Sequence, residues 1–153
     1  MMKLLLQIVL KIRRCYWWLA RPTTKGARAI LVNPAGNIIL LRHKYGEGWF
    51  LPGGKSKRNE SGEETMQREL KEELGITDIS QVTILGEYRN EHEYKKDTVT
   101  VFIVTSFTLS PKKHFEIEMW NFFNPRMLPD KTSPGTTRRI QEWLKQKPVS
   151  QHW

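Results

Sequence analysis

The chain has 153 residues, of which 39% are hydrophobic and 27% charged, which suits one soluble globular domain and excludes a disordered chain. Its single cysteine, Cys15, excludes an internal disulfide framework and a cysteine-rich zinc site and favours a reducing, cytoplasmic location. The net charge is +9, but residues 1–28 hold seven bases and no acid, whereas the rest holds 18 bases against 16 acids. We therefore expect no sequence-specific nucleic-acid partner, because the domain itself is nearly neutral.

Residues 1–22 predict a basic amphipathic helix that ends at Pro22, followed by one domain over residues 23–153. Its apolar run, Leu4 to Leu10, is shorter than the roughly 20 residues that cross a bilayer, and bases follow where a signal-peptide cleavage site would belong. Two interpretations stay open. In the first, the helix packs on its own domain or across a homodimer. In the second, residues 1–21 bind an anionic membrane surface peripherally, at the inner face of the membrane.

The rest of the chain predicts a mixed α/β domain. In chain order, we predict an antiparallel pair of strands over 26–32 and 37–42, a loop over 43–54, a helix over 61–74, strands over 81–89, 98–108 and 118–123, and a last helix over 132–146. Ser61 is the expected N-cap of the first helix, and Glu64 completes the spacing of a capping box. Gly75 is expected to end this helix.

Three glutamates on the predicted helix over 61–74 are the main candidates for a functional site. Glu69, Glu72 and Glu73 share one face because they are spaced i, i+3 and i+4. Like charges at this spacing repel, so a partner must compensate, and carboxylate oxygens suit hard divalent cations. The alternative is a solvated acidic face balanced by Arg68 and Lys71.

The flanks of the acidic face favour the metal interpretation. Pro52, Gly53 and Gly54 precede the helix and allow a sharp turn whose carbonyls can point at an ion. The helix also carries an apolar stripe, which consists of Met66, Leu70 and Leu74. This stripe predicts that the helix packs on a core while its acidic edge faces a cleft.

Residues 54–76 resemble the Nudix box. Every defined position of that signature is filled, by Gly54, Glu60, Arg68, Glu69, Leu70, Glu72, Glu73, Gly75 and Ile76. The similarity runs from about residue 27 to the end of the chain. Residues 48–54 resemble the segment that leads into the box, and residues 116–129 resemble a distal element of the family, with Phe122 in place of the commoner Trp.

The resemblance implies an α/β/α sandwich with a mixed sheet, here preceded by the N-terminal amphipathic helix. It implies a hydrolase that needs Mg²⁺, with Mn²⁺ as a substitute, and that cleaves a pyrophosphate bond in a nucleoside diphosphate linked to another group. Nucleotide sugars, ADP-ribose, (d)NTPs and dinucleoside polyphosphates stay open as substrates, because no local signature chooses among them.

The resemblance also assigns roles to residues. Metal ligands are expected at Glu69, Glu72, Glu73, the Gly54 carbonyl and Glu116. The general base varies within the family, so Glu69 is the first choice here and Glu116 the second, although Glu116 also suits a plain surface position. Residues that support the motif structurally are expected at Gly53, Glu60, Arg68 and Gly75. Arg68 is also expected to contribute to catalysis together with the glutamates.

Three further residues are candidates for substrate binding. Arg42 and Lys55 flank the loop before the helix and suit phosphate groups, and Trp49 suits stacking on a base. Each has a simpler alternative as a solvated charge or a packing residue. Two rival functions also stay open, namely an inactive ligand-sensing module on the same fold and a membrane-surface adaptor that uses the N-terminal helix. The intact acidic face argues against the sensing module, because an inactive protein need not keep mutually repelling glutamates.

Overall fold

The computed structural model describes residues 23–92 and 95–153. In chain order the described elements are β1 (Thr23–Leu31), β2 (Ile38–His43), β3 (Gly53–Lys55), α1 (Gly62–Leu74), β4 (Ile76–His92), β5 (Lys95–Leu109), β6 (Ile117–Phe123) and α2 (Pro134–Trp143). The predicted helix over residues 1–22 lies outside the described residues, so its membrane or dimer contact stays a prediction. Within the described ranges, no helix is long and apolar enough to cross a membrane.

Four strands form a mixed sheet in the order β3-β1-β5-β4. Strand β1 pairs in parallel with β5 and antiparallel with β3, and β4 pairs antiparallel with β5. Strands β2 and β6 form a separate antiparallel pair. The sheet therefore combines both strand directions, as the resemblance implied.

The predicted pairing of residues 26–32 with residues 37–42 is wrong beyond the turn. The turn itself forms, with a bridge between Val32 and Ile38 and a 2.9 Å bond from the Asn33 N–H to the Asn37 carbonyl. The two strands then separate, since β1 takes β3 and β5 as neighbours and β2 pairs with β6. The first four residues of β2 are all fully buried, which is typical of a strand covered on both faces rather than of a half-exposed hairpin.

Apolar side chains cover the four-stranded sheet on both faces. One core packs α1 against the sheet and includes Ala27, Ala29, Leu31, Met66, Leu70, Leu74, Phe102 and Val104. The other core packs α2 against the opposite face and includes Ile30, Leu40, Leu51, Tyr88, Val101 and Ile140. Side chains of β1 alternate between the two cores, as a pleated strand requires. The architecture is an α/β/α sandwich, which confirms the expected fold.

Helix α1 carries the glutamates, and its ends are fixed by local sequence. The Ser61 side chain accepts the Glu64 N–H, and the Glu64 side chain accepts the Ser61 N–H, so the predicted capping box is confirmed. Gly75 ends the helix in the left-handed conformation at φ 70°. The apolar stripe of α1 is fully buried, so the acidic edge is held against β1 and β3.

Candidate active site

Glu73 is the buried member of the glutamate group. Its carboxylate accepts the Gly53 N–H at 2.8 Å, and the residue is only 6% exposed. Burial raises the pKa of Glu73 to about 7, against the opposing effects of the Gly53 hydrogen bond and the positive charge of Arg28. Gly53 has φ 130°, and a side chain there would collide with the Ala27 carbonyl, so the close approach of this loop to β1 requires glycine.

Glu69 lies against the neighbouring glycine. A methyl group added at Gly54 would come within 2.5 Å of the Glu69 carboxyl carbon and of one of its oxygens. The absence of a side chain at Gly54 therefore lets this carboxylate reach the loop backbone. Glu69 and Glu73 thus converge on Gly53 and Gly54, one at each glycine. These two glycines, where the chain bends after Pro52 into β3, are called the glycine turn below.

We expect the Gly54→Ala variant to lower kcat at least ~10-fold with little change in melting temperature. The added methyl would displace the Glu69 carboxylate, which is the free end of a flexible side chain, whereas the backbone of Gly54 is not confined to the left-handed region. Steady-state kinetics and thermal unfolding check this together. Gly36→Ala is the control: its turn is open to a methyl group but has φ 79°, so stability should fall while kcat holds.

Arg68 joins the loop to the acidic face of α1. Its guanidinium pairs with both oxygens of Glu60, at 2.7 and 2.9 Å, and donates to the Lys55 carbonyl at 3.0 Å. It also contacts Glu69 at 2.7 Å and Glu72 at 3.3 Å. The hydrogen bond from Arg68 is the largest cause that lowers the pKa of Glu60 to about 2. Arg68 therefore supplies positive charge that offsets the repulsion among the glutamates.

Glu72 is the most exposed of the three glutamates. Its side chain is 47% exposed, against 16% for Glu69. Its recorded partner is Arg68, one turn earlier on the same helix. Glu72 is therefore more accessible to solvent or to a ligand than Glu69 and Glu73, which are held at the loop.

Arg28 is a site residue that sequence reasoning missed, since it was counted with the basic N-terminal segment. It lies in β1, and its Nη1 donates to the carbonyls of Leu51 and Gly53 at 3.0 and 2.7 Å. Burial lowers its pKa, and the charges of Glu73 and Glu69 oppose this shift. Arg28 thus fixes the glycine turn and faces the carboxylates. One feature of the sequence could have identified Arg28, namely its position as a lone charged residue between Ala27 and Ala29 in a predicted strand.

Glu116 lies near the same carboxylates. The charge of Glu116 helps to raise the pKa of Glu73. It also opposes the lowering of the His43 pKa, which is caused first by burial and next by the charge of Arg28. Its carbonyl accepts the Lys44 N–H at 2.9 Å, which ties the segment before β6 to the end of β2. The segment that contains Glu116 therefore lies beside the end of β2, and the charge of Glu116 acts on Glu73 and on His43, which had no predicted role.

Arg42 and Trp49 lie together, and neither of them lines the two cavities described below. Arg42 pairs with Glu118 at 2.7 Å, and its guanidinium carbon lies 5.6 Å from the Trp49 ring centre. Trp49 also packs edge-on against Phe123, with ring centres 4.8 Å apart. Both residues take part in contacts that link β2, β6 and the loop before β3, and their roles in substrate binding stay predictions.

Two cavities are lined by residues of the predicted site. The first has a volume of about 290 Å³ and is lined by Lys25, Arg28, Gly54, Lys55, Asn90 and Trp153, among others. The second has a volume of about 410 Å³ and is lined by Lys44, Glu73, Lys112, Lys113, His114 and Trp120, among others. Each cavity thus contains a residue of the predicted site together with several basic side chains. Lys55 lines the first cavity, and its role in phosphate binding stays a prediction.

The donor set suits a hard divalent cation. Carboxylate and carbonyl oxygens are the ligands that Mg²⁺ accepts, and it completes its shell with water. The glycine turn leaves space that a Cβ would fill, and Glu69 occupies that space with its oxygens. In residues 23–92 and 95–153, no three acidic, histidine or cysteine side chains already converge as a metal centre; Glu69 and Glu72 are instead turned to Arg68. The residues therefore fit the cation by donor chemistry.

Comparison with known proteins identifies the family. A model of the NUDIX domain matches residues 22–144. An 8-oxo-dGTP diphosphatase from Proteus vulgaris is 32% identical over 85 residues, which cover 53% of this chain and 75% of that protein. An RNA pyrophosphohydrolase from Marinomonas sp. is 39% identical over 66 residues, which cover 43% of this chain and only 40% of that protein.

A solved structure agrees in fold. The MutT NUDIX hydrolase from Burkholderia pseudomallei superposes with a TM-score of 0.69 at 24% identity, over 78% of this chain and 97% of that one. The family match spans most of the chain and includes the whole glutamate helix with its glycine turn. The chain therefore belongs to the Nudix family, as a MutT-like pyrophosphohydrolase.

Proposed function

We propose that this hydrolase uses Mg²⁺, or Mn²⁺ in its place, to cleave a pyrophosphate bond in a nucleoside diphosphate linked to another group. The observation that carries the proposal is the convergence of Glu69 and Glu73 on the Gly53–Gly54 turn. The names of two relatives support a nucleotide substrate, since one is an 8-oxo-dGTP diphosphatase and the other an RNA pyrophosphohydrolase.

The proposed metal ligands are Glu69, Glu72, Glu73 and the Gly54 carbonyl, with Glu116 as a further ligand. A bound cation would neutralise diphosphate charge and make water a better nucleophile. The chain itself supplies the placement: Arg28 holds the Gly53 carbonyl and the Gly53 N–H holds Glu73. These bonds fix the loop and the buried carboxylate relative to each other before substrate arrives.

Glu69 is the proposed general base. Its carboxylate lies against Gly54 and is held at 2.7 Å by Arg68. It would take a proton from the attacking water as the water oxygen bonds to phosphorus and the bridging P–O bond breaks. Glu116 is the second choice, because it is exposed and its charge acts on Glu73.

Basic side chains of the two cavities are the proposed phosphate contacts. Lys25, Arg28 and Lys55 line the first cavity, and three more lysines line the second. A diphosphate chain that lies across the carboxylates could therefore meet positive charge on either side, which opposes its own negative charge. The choice among nucleotide sugars, ADP-ribose, (d)NTPs and dinucleoside polyphosphates stays open.

A substrate panel tests this function. The full chain is incubated with one member of each of the four substrate classes, with and without Mg²⁺, and products are identified by mass spectrometry. The proposal expects cleavage of at least one nucleoside-containing substrate at a pyrophosphate bond, only when the metal is present. Equal cleavage without metal, or cleavage of none of the four compounds at a pyrophosphate bond, would contradict it.

Mg²⁺ is expected to stabilise the folded chain. For a Kd of ~1 mM, 10 mM Mg²⁺ raises the free energy of unfolding by about 1.4 kcal/mol and the melting temperature by about 3–6 °C. The reason is that the ion binds the folded carboxylates and not the unfolded chain. Thermal unfolding at matched ionic strength measures the effect, and NaCl controls for screening. The rise should disappear in Glu72→Gln; an identical rise in that variant would remove Glu72 from the proposed site.

A further inference from the structure

Residues 150–153 are attached to the edge of the sheet. Residues 150–153, here called the tail segment, lie beside β4, which is the last strand of the four-stranded sheet. The Arg89 N–H donates to the Gln151 carbonyl at 2.8 Å, and the Trp153 N–H donates to the Arg89 carbonyl at 3.1 Å. The tail segment therefore continues the sheet by a short stretch of backbone pairing.

A buried charged cluster holds the tail segment from the other side. Arg139 is fully buried, donates to the His152 carbonyl at 2.9 Å and pairs with Glu142 at 2.8 Å. Glu142 also accepts the Tyr88 hydroxyl at 2.7 Å and the Ser150 N–H at 3.1 Å. Because both charged side chains are buried and each makes hydrogen bonds to residues 150–153, the tail segment has a defined position.

The Trp153 ring is seated by specific neighbours. It packs edge-on against Tyr88, with ring centres 6.0 Å apart, and lies 5.5 Å from the Arg139 guanidinium carbon. A methyl group added at Gly135, in the first turn of α2, would lie 2.7 Å from the Trp153 Nε1 atom. Glycine at 135 therefore makes room for the ring, and the remaining surface of the half-buried side chain is left available.

That remaining surface borders the proposed active site. Trp153 lines the cavity of about 290 Å³ whose other walls include Gly54, Lys55 and Asn90. Gly54 belongs to the turn on which the glutamates converge, and Lys55 follows it with a positive charge. A rigid aromatic ring and a phosphate-binding wall thus share one cavity. This combination suits a ligand with a flat ring at one end and phosphates at the other.

We propose that Trp153 is a specificity-determining residue that stacks on the nucleobase of the substrate while its phosphates reach Gly54 and Lys55. The inference rests on the proposed function, because it requires a substrate that contains a nucleoside. Aromatic stacking tolerates different bases, since every base has a π-face. Trp153 therefore selects nucleotides over phosphates without a base, rather than one base over another.

Binding of AMP and of ribose 5-phosphate tests the inference. Neither ligand has a pyrophosphate bond, so isothermal titration calorimetry with the full chain in Mg²⁺ buffer measures affinity without turnover. We expect the wild-type chain to bind AMP about 10-fold more tightly than ribose 5-phosphate. Trp153→Ala should lose this difference by weakening AMP alone, and Trp153→Phe should keep most of it. His152→Ala, at an exposed neighbour in the same segment, should bind both ligands as the wild type does.

Three results would overturn the inference. They are unchanged AMP binding by Trp153→Ala, weaker binding of both ligands, which would make the ring merely structural, and equal binding of the two ligands by the wild-type chain. Gly135→Ala gives a second test if Trp153→Ala fails to fold. Its added methyl group would displace the Trp153 ring without removing it, so the affinity for AMP should fall while that for ribose 5-phosphate stays unchanged. The substrate panel fails or succeeds separately, because it detects pyrophosphate cleavage whatever holds the base.

Discussion

Replacing Glu73 or Glu72 with glutamine is expected to lower kcat by ~100-fold or more while the fold persists. Each change removes one carboxylate from the proposed metal site and leaves a side chain of nearly equal size. Glu73→Gln also removes a charge that is costly to bury, and its amide oxygen can still accept the Gly53 N–H. The melting temperature without metal should therefore stay level or rise, because repulsion on the helix also falls.

Glu63→Gln is the matched control for these variants. Glu63 lies on the same helix, is exposed, and is contacted by Gln67 away from the glycine turn. Its kcat should equal that of the wild-type chain. Steady-state kinetics at saturating Mg²⁺ and thermal unfolding without metal provide both readouts. Near wild-type kcat in Glu72→Gln or Glu73→Gln would remove the altered residue from the catalytic assignment.

Replacing Arg28 with alanine should reduce both stability and turnover. The carbonyls of Leu51 and Gly53 would lose their donor, and Glu73 would lose the compensating charge of Arg28. We expect a loss of about 2 kcal/mol in unfolding free energy, or about 4–8 °C in melting temperature. Turnover should fall at least ~10-fold, because the glycine turn that places Glu69 and Glu73 is no longer fixed.

Lys25→Ala separates the role of Arg28 from the general effect of removing a base from β1. Lys25 lies on the same strand and lines the same cavity, but it is exposed. Its replacement should leave the melting temperature unchanged and affect KM more than kcat. Chemical denaturation gives the unfolding free energies, and steady-state kinetics separates KM from kcat. Equal stability of Arg28→Ala and Lys25→Ala would show that the two carbonyl bonds do not hold the loop.

The parts of the site that depend on neighbouring residues could be predicted from the sequence. The capping box of Ser61 and Glu64, the end of the helix at Gly75 and the common face of the glutamates follow from spacing along one helix. The apolar stripe likewise predicts which face is buried. These features need no knowledge of which strands meet.

The parts that depend on distant contacts could not be predicted. Arg28 reaches carbonyls 23 and 25 residues away, and only the pairing of β1 with β3 brings them together. The predicted pairing of β1 with β2 was wrong for a related reason. Strand β2 pairs with β6 instead and is buried on both faces, which its local sequence does not reveal. Trp153 reaches the cavity through the cluster of Tyr88, Arg139 and Glu142, which joins β4 to α2.

The measurement that tests the central claim most directly is hydrolysis of a nucleoside diphosphate derivative in ¹⁸O-enriched water, with products identified by mass spectrometry. With Mg²⁺, the account predicts that one phosphate-containing product carries a single ¹⁸O from the solvent, because water attacks phosphorus at a pyrophosphate bond. Glu73→Gln should give almost no labelled product in the same time. Label outside a phosphate group, or equal labelled product from Glu73→Gln, would contradict the account.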